Sequence, residues 1–213
     1  MTKRSFWSLL LVSTAVELLV FYRPQAPVQG AATALFTDLA LQTALLLGLP
    51  VTWIKLVART RVTDAGLSLP PARQWLPWLL PFAAVVLPLA LAATRIPSIH
   101  ASYPRLEQAR EQHWLLAPST LAFAGYGLAW EFFFRGFMMM GLKARLGHWA
   151  VVLQAFPCAV MHLGKPELEV LASFPSAIVL GAIAYRAGSV VPAWLLHMAI
   201  ALVINLGCVF WPL

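Results

Sequence analysis

Charge is what this sequence has least of. Asp, Glu, Lys and Arg make up 11% of its 213 residues, against roughly a quarter in a soluble domain. With 61% hydrophobic residues and a mean hydropathy of +0.78, that shortage excludes an ordinary water-soluble globule. Cysteine is nearly absent. Cys158 and Cys208 both fall in apolar runs, which excludes a disulfide framework and a CxxC metal site and leaves two small apolar side chains. No block of like charge exists either. The net charge of +7 comes from Lys and Arg scattered in short segments between apolar runs, the arrangement of membrane topology signals rather than of a nucleic-acid surface. There is no internal repeat, low-complexity tract or appended polar domain.

What is present is a series of apolar runs near the length that crosses a bilayer. They cover residues 5–22, 31–57, 75–94, 114–142, 149–163, 170–185 and 189–211. The fold class expected is all-α, a polytopic integral membrane protein with about seven transmembrane helices. One membrane domain spans residues 1–213, with N-terminal helices and loops over 1–112 and a reactive core over 113–211. The first run is long, contains Glu17 and lacks a clean small-x-small site after it, so it reads as an uncleaved helix. Pro77, Pro81, Pro88, Pro157, Pro175 and Pro192 predict kinks or local breaks, whose freed carbonyls neighbours can satisfy. The longest polar segment, residues 96–113, is expected to hold a short interfacial helix.

Lys and Arg set the orientation. With a cytoplasmic N-terminus, the inner segments hold Lys3, Arg4, Lys55, Arg59, Arg61, Arg73, Lys143, Arg145 and Arg186. The outer ones hold Arg23, Arg95, Arg105, Arg110 and Lys165. The expected localisation is therefore a cell membrane, with the N-terminus cytoplasmic and the C-terminus outside.

Against this apolar background one stretch stands out: Trp130-Glu131-Phe132-Phe133-Phe134-Arg135-Gly136. Glu131 and Arg135 are just over one helical turn apart and share a face. A charge at the centre of a membrane helix costs about 2.5–3.5 kcal/mol on insertion scales, so such residues are rare and usually functional. His162 and His197 lie in later runs. Carboxylate and imidazole are the groups that deprotonate water and stabilise an oxyanion during peptide hydrolysis. Depth permits a meeting. His197 is about 12 Å of helix from Ser189, and Glu131 roughly 16 Å from Leu142. His162 is nearer the far end of its run and needs a tilt or an offset to join them.

The order Glu-x-x-x-Arg, then a His ending the next run, then Trp194-Leu195-Leu196-His197 resembles the CPBP (CAAX protease and bacteriocin-processing) family. These are the Rce1-like/Abi intramembrane glutamic proteases. Gly181-Ala182-Ile183-Ala184-Tyr185-Arg186-Ala187-Gly188-Ser189 and Asp64-Ala65-Gly66-Leu67 also resemble stretches of that family. The resemblance covers roughly residues 117–206, nearly half the chain. Three positions depart from its pattern. The family's first motif begins Glu-Glu, and Trp130 stands at the first position. An Asn usually follows the last His by four residues, where this chain has Ala201, and Asn205 lies another turn on. A Phe usually precedes the middle His by four, where this chain has Cys158.

The resemblance implies an intramembrane endopeptidase that cuts near the end of a membrane-inserted or lipid-anchored protein or peptide. Glu131 and His162 activate water, His197 with Asn205 holds the oxyanion or substrate, and Arg135 orients Glu131. Pro166 turns the chain back, so Glu169 is expected to join His162 and Glu131 in place of the missing acid.

Plainer readings stand beside these. Glu131 and Arg135 also fit a buried ion pair joining helices. His162 fits an interfacial helix end, His197 a packing contact, and Glu169 and Glu167 solvated loop acids. Glu17 and Asp38 read as packing or interface acids, and Met138-Met139-Met140 as lipid- or core-facing filler. Trp53, Trp75, Trp78, Trp114, Trp149 and Trp211 read as interface anchors. Two histidines and a glutamate match a catalytic zinc set. There is no HExxH, however, the histidines lie on separate runs, and Arg135 would oppose a dication. No metal or other cofactor is expected. Beyond the bilayer, the partner expected is the membrane-associated substrate. The rival to the protease is a non-catalytic scaffold or bacteriocin-immunity-type protein with the same fold, which Trp130 and Ala201 favour.

Overall fold

The computed structural model describes residues 3–22 and 32–211. Arg23 and the stretch after it, used above for orientation and processing, lie outside those residues. Helices account for the described secondary structure, and no strand occurs among the described residues. In chain order the helices are α1 (Lys3–Tyr22), α2 (Ala32–Ala58), α3 (Leu76–Ala93), α4 (Pro97–Ser102) and α5 (residues 116–146), then α6 (Trp149–Val160), α7 (Glu167–Ala187) and α8 (Val191–Phe210). Five of them, α1, α2, α3, α7 and α8, are long and apolar enough to cross a bilayer. The chain is an all-α, multi-pass membrane protein.

Proline and glycine set where these helices widen or stop. Pro50 has no N–H to return to the carbonyl of Leu46, and α2 takes a π register over Ala44–Gly48 just before it. The run expected over residues 149–163 ends early. Pro157 lies near the end of α6, and Gly164 at φ +89° lets the chain reverse after Val160. At twelve residues, α6 rises about 18 Å, short of the roughly 30 Å hydrocarbon core. The turn that carries His162 therefore lies at depth, which supplies the offset the sequence called for. The expected interfacial helix in residues 96–113 is α4 followed by 3₁₀ turns at Glu107–Arg110 and His113–Leu115.

α5 is the centre of the bundle. It is α-helical over Leu116–Glu131, then π-helical over Phe132–Met140, then α-helical again over Gly141–Leu146. Every residue from Phe132 to Met139 is buried, so this stretch has no lipid face. A helix apolar all round belongs inside. Met138 and Met139 are thereby core rather than lipid-facing.

The chain gathers two distinct ends. At one, the start of α1 meets the end of α5, with Arg145 lying 4.6 Å over the Phe6 ring. The start of α3 meets the end of α7, with Arg186 lying 4.2 Å over the Trp78 ring. The 59–75 loop also docks here: Val190 N–H donates to the Gly66 carbonyl at 3.0 Å, and the Ser189 hydroxyl donates to the Ser68 carbonyl. At the other end, Arg95 lies 4.1 Å over Trp211. Arg110 there spans from the 96–113 loop to the Cys208 carbonyl at 2.8 Å. The first end carries Arg4, Lys55, Arg59, Arg61, Arg73, Lys143, Arg145 and Arg186 against Asp64. The second carries Arg95, Arg105, Arg110 and Lys165 against Glu107, Glu111, Glu167 and Glu169. One end is thus strongly cationic and the other is balanced.

The docked loop reaches the middle of α5. A Cβ on Gly136 would lie 2.5 Å from the Ala65 carbonyl oxygen and 2.9 Å from the Phe132 ring, so only glycine admits this approach. Gly136→Ala is expected to destabilise the fold by about 1–3 kcal/mol. Gly125→Ala, where no atom lies within 4 Å, should leave stability unchanged or raise it. Thermal melts of both variants in detergent test the difference.

Candidate active site

Glu131 ends the α-helical part of α5, and Arg135 lies four residues on in the π-helical part. Both are buried, at 0% and 2% side-chain exposure. Arg135 Nε is 3.3 Å from Glu131 Oε2. Its N–H does not aim at that oxygen, and neither atom has a hydrogen-bond partner. The contact is ionic. The other carboxylate oxygen, Oε1, is 2.7 Å from Nδ1 of His197 on α8. The Glu131 carboxylate beside Arg135 is the acceptor, so His197 donates from Nδ1 and its Nε2 is left free.

His162 comes from the turn after α6. Its Nδ1 lies 2.8 Å from the Cys158 carbonyl. A carbonyl cannot donate, so Nδ1 carries the proton and Nε2 carries a lone pair. The His162 ring meets the Trp130 indole edge-on, with centroids 5.4 Å apart. His162 lies within electrostatic range of both Glu131 and His197. The structure therefore groups Glu131, Arg135, His162 and His197 from three separate elements.

Glu169 lies close by but is engaged elsewhere. It begins α7, where its Oε2 accepts from the Tyr103 hydroxyl at 2.7 Å and its Oε1 pairs with Lys165 Nζ at 2.6 Å. Glu169 acts electrostatically on His162, yet no hydrogen bond joins the two or ties Glu169 to Glu131 among the described residues. Asn205 is half-buried on α8, two turns beyond His197, and makes no hydrogen bond to the group. No cluster of three or more His, Cys, Asp or Glu suited to a metal ion occurs among the described residues.

Two participants escaped the sequence reading. Cys158 was read as filler, but its thiol accepts from Arg135 Nη1 at 3.5 Å while its carbonyl holds His162. The signal was present: Cys158 is one turn before His162 and so faces the same way. Tyr103 carried no signal, because nothing local shows that residues 96–113 fold back over α7. Arg110 holds that fold-back, reaching the carbonyls of His100, Tyr103 and Cys208 together. Burial and the neighbouring Glu169 carboxylate push the Tyr103 hydroxyl well above its ordinary pKa, so it is a neutral donor at any working pH.

A separate apolar groove of about 760 Å³ runs between α2 and the first half of α5. Leu39, Leu47, Val51, Leu121 and Tyr126 are among the residues that line it. Its Tyr126 ring is 5.9 Å from that of Trp130, so the groove ends beside the buried cluster.

No curated protein and no solved structure matches the chain. The family model described as type II CAAX prenyl endopeptidase Rce1-like matches residues 111–203. That segment holds Glu131, Arg135, His162, Glu169 and His197 and ends two residues before Asn205. Over residues 111–203, somewhat less than half of its length, the chain is similar to the Rce1-like membrane proteases.

Proposed function

We propose that this chain is an intramembrane endopeptidase that cuts near the end of a membrane-inserted or lipid-anchored protein. The observation that carries the reading is the buried Glu131 carboxylate, fixed by His197 on one oxygen and facing Arg135 on the other, with His162 beside it. Glu131 Oε2 and the Nε2 of His162 are the two basic atoms left for a water. Buried polar atoms without a protein partner are what ordered water commonly serves. Water gives its proton to this pair and its oxygen attacks the scissile carbonyl carbon. A protonated His197 donates from Nε2 to the oxyanion, and the proton taken from water is returned to the leaving nitrogen. Arg135 holds Glu131 in register and balances its charge in a dry surround.

The groove between α2 and α5 supports the substrate class. Its lining is apolar, and it leads to Tyr126 and Trp130 at the site, so an acyl or isoprenoid chain or an apolar segment can lie in it from the lipid side. The charge asymmetry of the two ends supports a cytoplasmic N-terminus and a C-terminus outside. Glu169 acts at the rim, where Tyr103 and Lys165 hold its charge near His162, and Asn205 contacts substrate further along α8.

One observation favours a second reading. Trp130 fills the position of the family's first acid and packs against His162, which suits a scaffold that has lost the proton chemistry. Co-expression with terminally tagged membrane proteins separates the two by gel shift.

Glu131→Gln, His162→Ala and His197→Ala are each expected to lower cleavage by about 10²–10⁴-fold while the protein still folds. Full activity in the Glu131 and His197 variants would eliminate this mechanism. Glu169→Gln is expected to lower the rate about tenfold or more, with Arg73→Gln, at the opposite end of the bundle, as an unaffected control. An unchanged rate in Glu169→Gln would reduce that residue to an anchor for Tyr103.

A further inference from the structure

At the cationic end, α6 begins beside the end of α7, and between them lies a cavity of about 460 Å³. His148, Val151, Ala182, Tyr185 and Arg186 line it. Lys143, from the last turns of α5, does not line it but reaches the Tyr185 that does. Its Nζ donates to the Tyr185 carbonyl at 3.3 Å and lies 4.0 Å over the Tyr185 ring. The His148 ring is 4.9 Å from that same ring. Arg186 lies over Trp78, and its guanidinium makes no hydrogen bond among the described residues.

Cations near a cavity usually have a carboxylate to answer them. Here the acid at this end is Asp64, and its carboxylate is committed to the Arg61 backbone N–H at 3.2 Å. The end of α7 would itself oppose an anion through its exposed carbonyls, but Lys143 already covers the Tyr185 carbonyl. The start of α6 borders the same space, and although the Ala150 and Val151 N–H groups donate to the Gly147 and His148 carbonyls, its positive dipole end favours negative charge. Trp78 and Trp149 are 53% and 70% exposed, which marks this level as the membrane–water interface. Val151 and Ala182 give the cavity an apolar floor.

We propose that this cavity is a phosphate seat, with the anion held by Arg186, Lys143 and His148 at headgroup depth. The ligand class is a phosphate ester or phosphate ion. A lipid phosphodiester uses the apolar floor for its glycerol, and free phosphate uses the cations alone. The seat lies at the opposite end of α7 from Glu169 and stands whether or not the chain cuts peptides.

Native mass spectrometry of the purified protein with phosphatidylglycerol or phosphatidylcholine tests it, beside thermal melts in inorganic phosphate against chloride. Arg186→Gln and Lys143→Gln should each weaken phosphatidylglycerol retention about fivefold. Arg105→Gln, at the balanced end, should not. Preference for phosphatidylglycerol that both variants reduce assigns the seat to a lipid headgroup. Saturable stabilisation by inorganic phosphate that Arg186→Gln removes, without preference between lipids, assigns it to the free ion. No difference between wild type and both variants with either probe, or an equal loss in Arg105→Gln, overturns the seat.

Discussion

A carboxylate and a guanidinium placed at bilayer depth constrain everything around them. Glu131 and Arg135 are almost fully enclosed. Removing either would strand the other, a loss of about 3–5 kcal/mol for a buried pair. The surrounding structure answers each remaining demand. His197 comes from α8 for one carboxylate oxygen, and Cys158 comes from α6 for an Arg135 nitrogen. Three helices are thereby tied at one point by polar contacts. Between membrane helices burial of apolar surface supplies no drive, so packing and hydrogen bonds of this kind hold the bundle. The central position of α5 follows from the same demand, since a helix carrying this pair must be covered on every side.

Depth is set by helix punctuation rather than by the reactive residues. α6 is short because Pro157 and Gly164 end it, and the turn that follows delivers His162 to the level of Trp130 and Glu131. At the opposite face the 59–75 loop closes against Gly136, where a backbone carbonyl takes the space of a side chain. The polar cluster is therefore enclosed between an inserted loop on one side and the 96–113 segment on the other. Arg110 holds that segment by reaching three carbonyls from two parts of the chain.

The sequence was legible where chemistry is expensive. Glu131 and Arg135 stood out because charge in an apolar run has few harmless explanations. His197 could be matched to Glu131 by depth alone, because each lies on one continuous helical run, and the π-helical turns after Glu131 alter its depth without interrupting that run. His162 could not, because its position depends on where α6 stops, and a proline within a membrane helix either kinks or ends it. The Tyr103–Glu169 contact was invisible for a related reason. It joins residues 66 positions apart through a loop whose path is fixed by Arg110 and not by any periodicity. Glu169 was placed near His162 in sequence, but its hydrogen bonds could be assigned only once that loop had a position.

Two of the three positions that depart from the resembled pattern lie together in space. Sequence alone presents Trp130 and Cys158 as two separate losses, an acid on one helix and an aromatic ring on another. In the structure the Trp130 indole lies beside the Cys158 thiol and against His162. The large indole on α5 lies beside the small Cys158 side chain on α6, so a large and a small group share the volume between the two helices. The smaller side chain does a second job, because a thiol can accept from Arg135 where a phenyl ring offers no lone pair. Trp130 and Cys158 thus form one wall of the site, with His162 held against it and the Glu131–His197 hydrogen bond beside it.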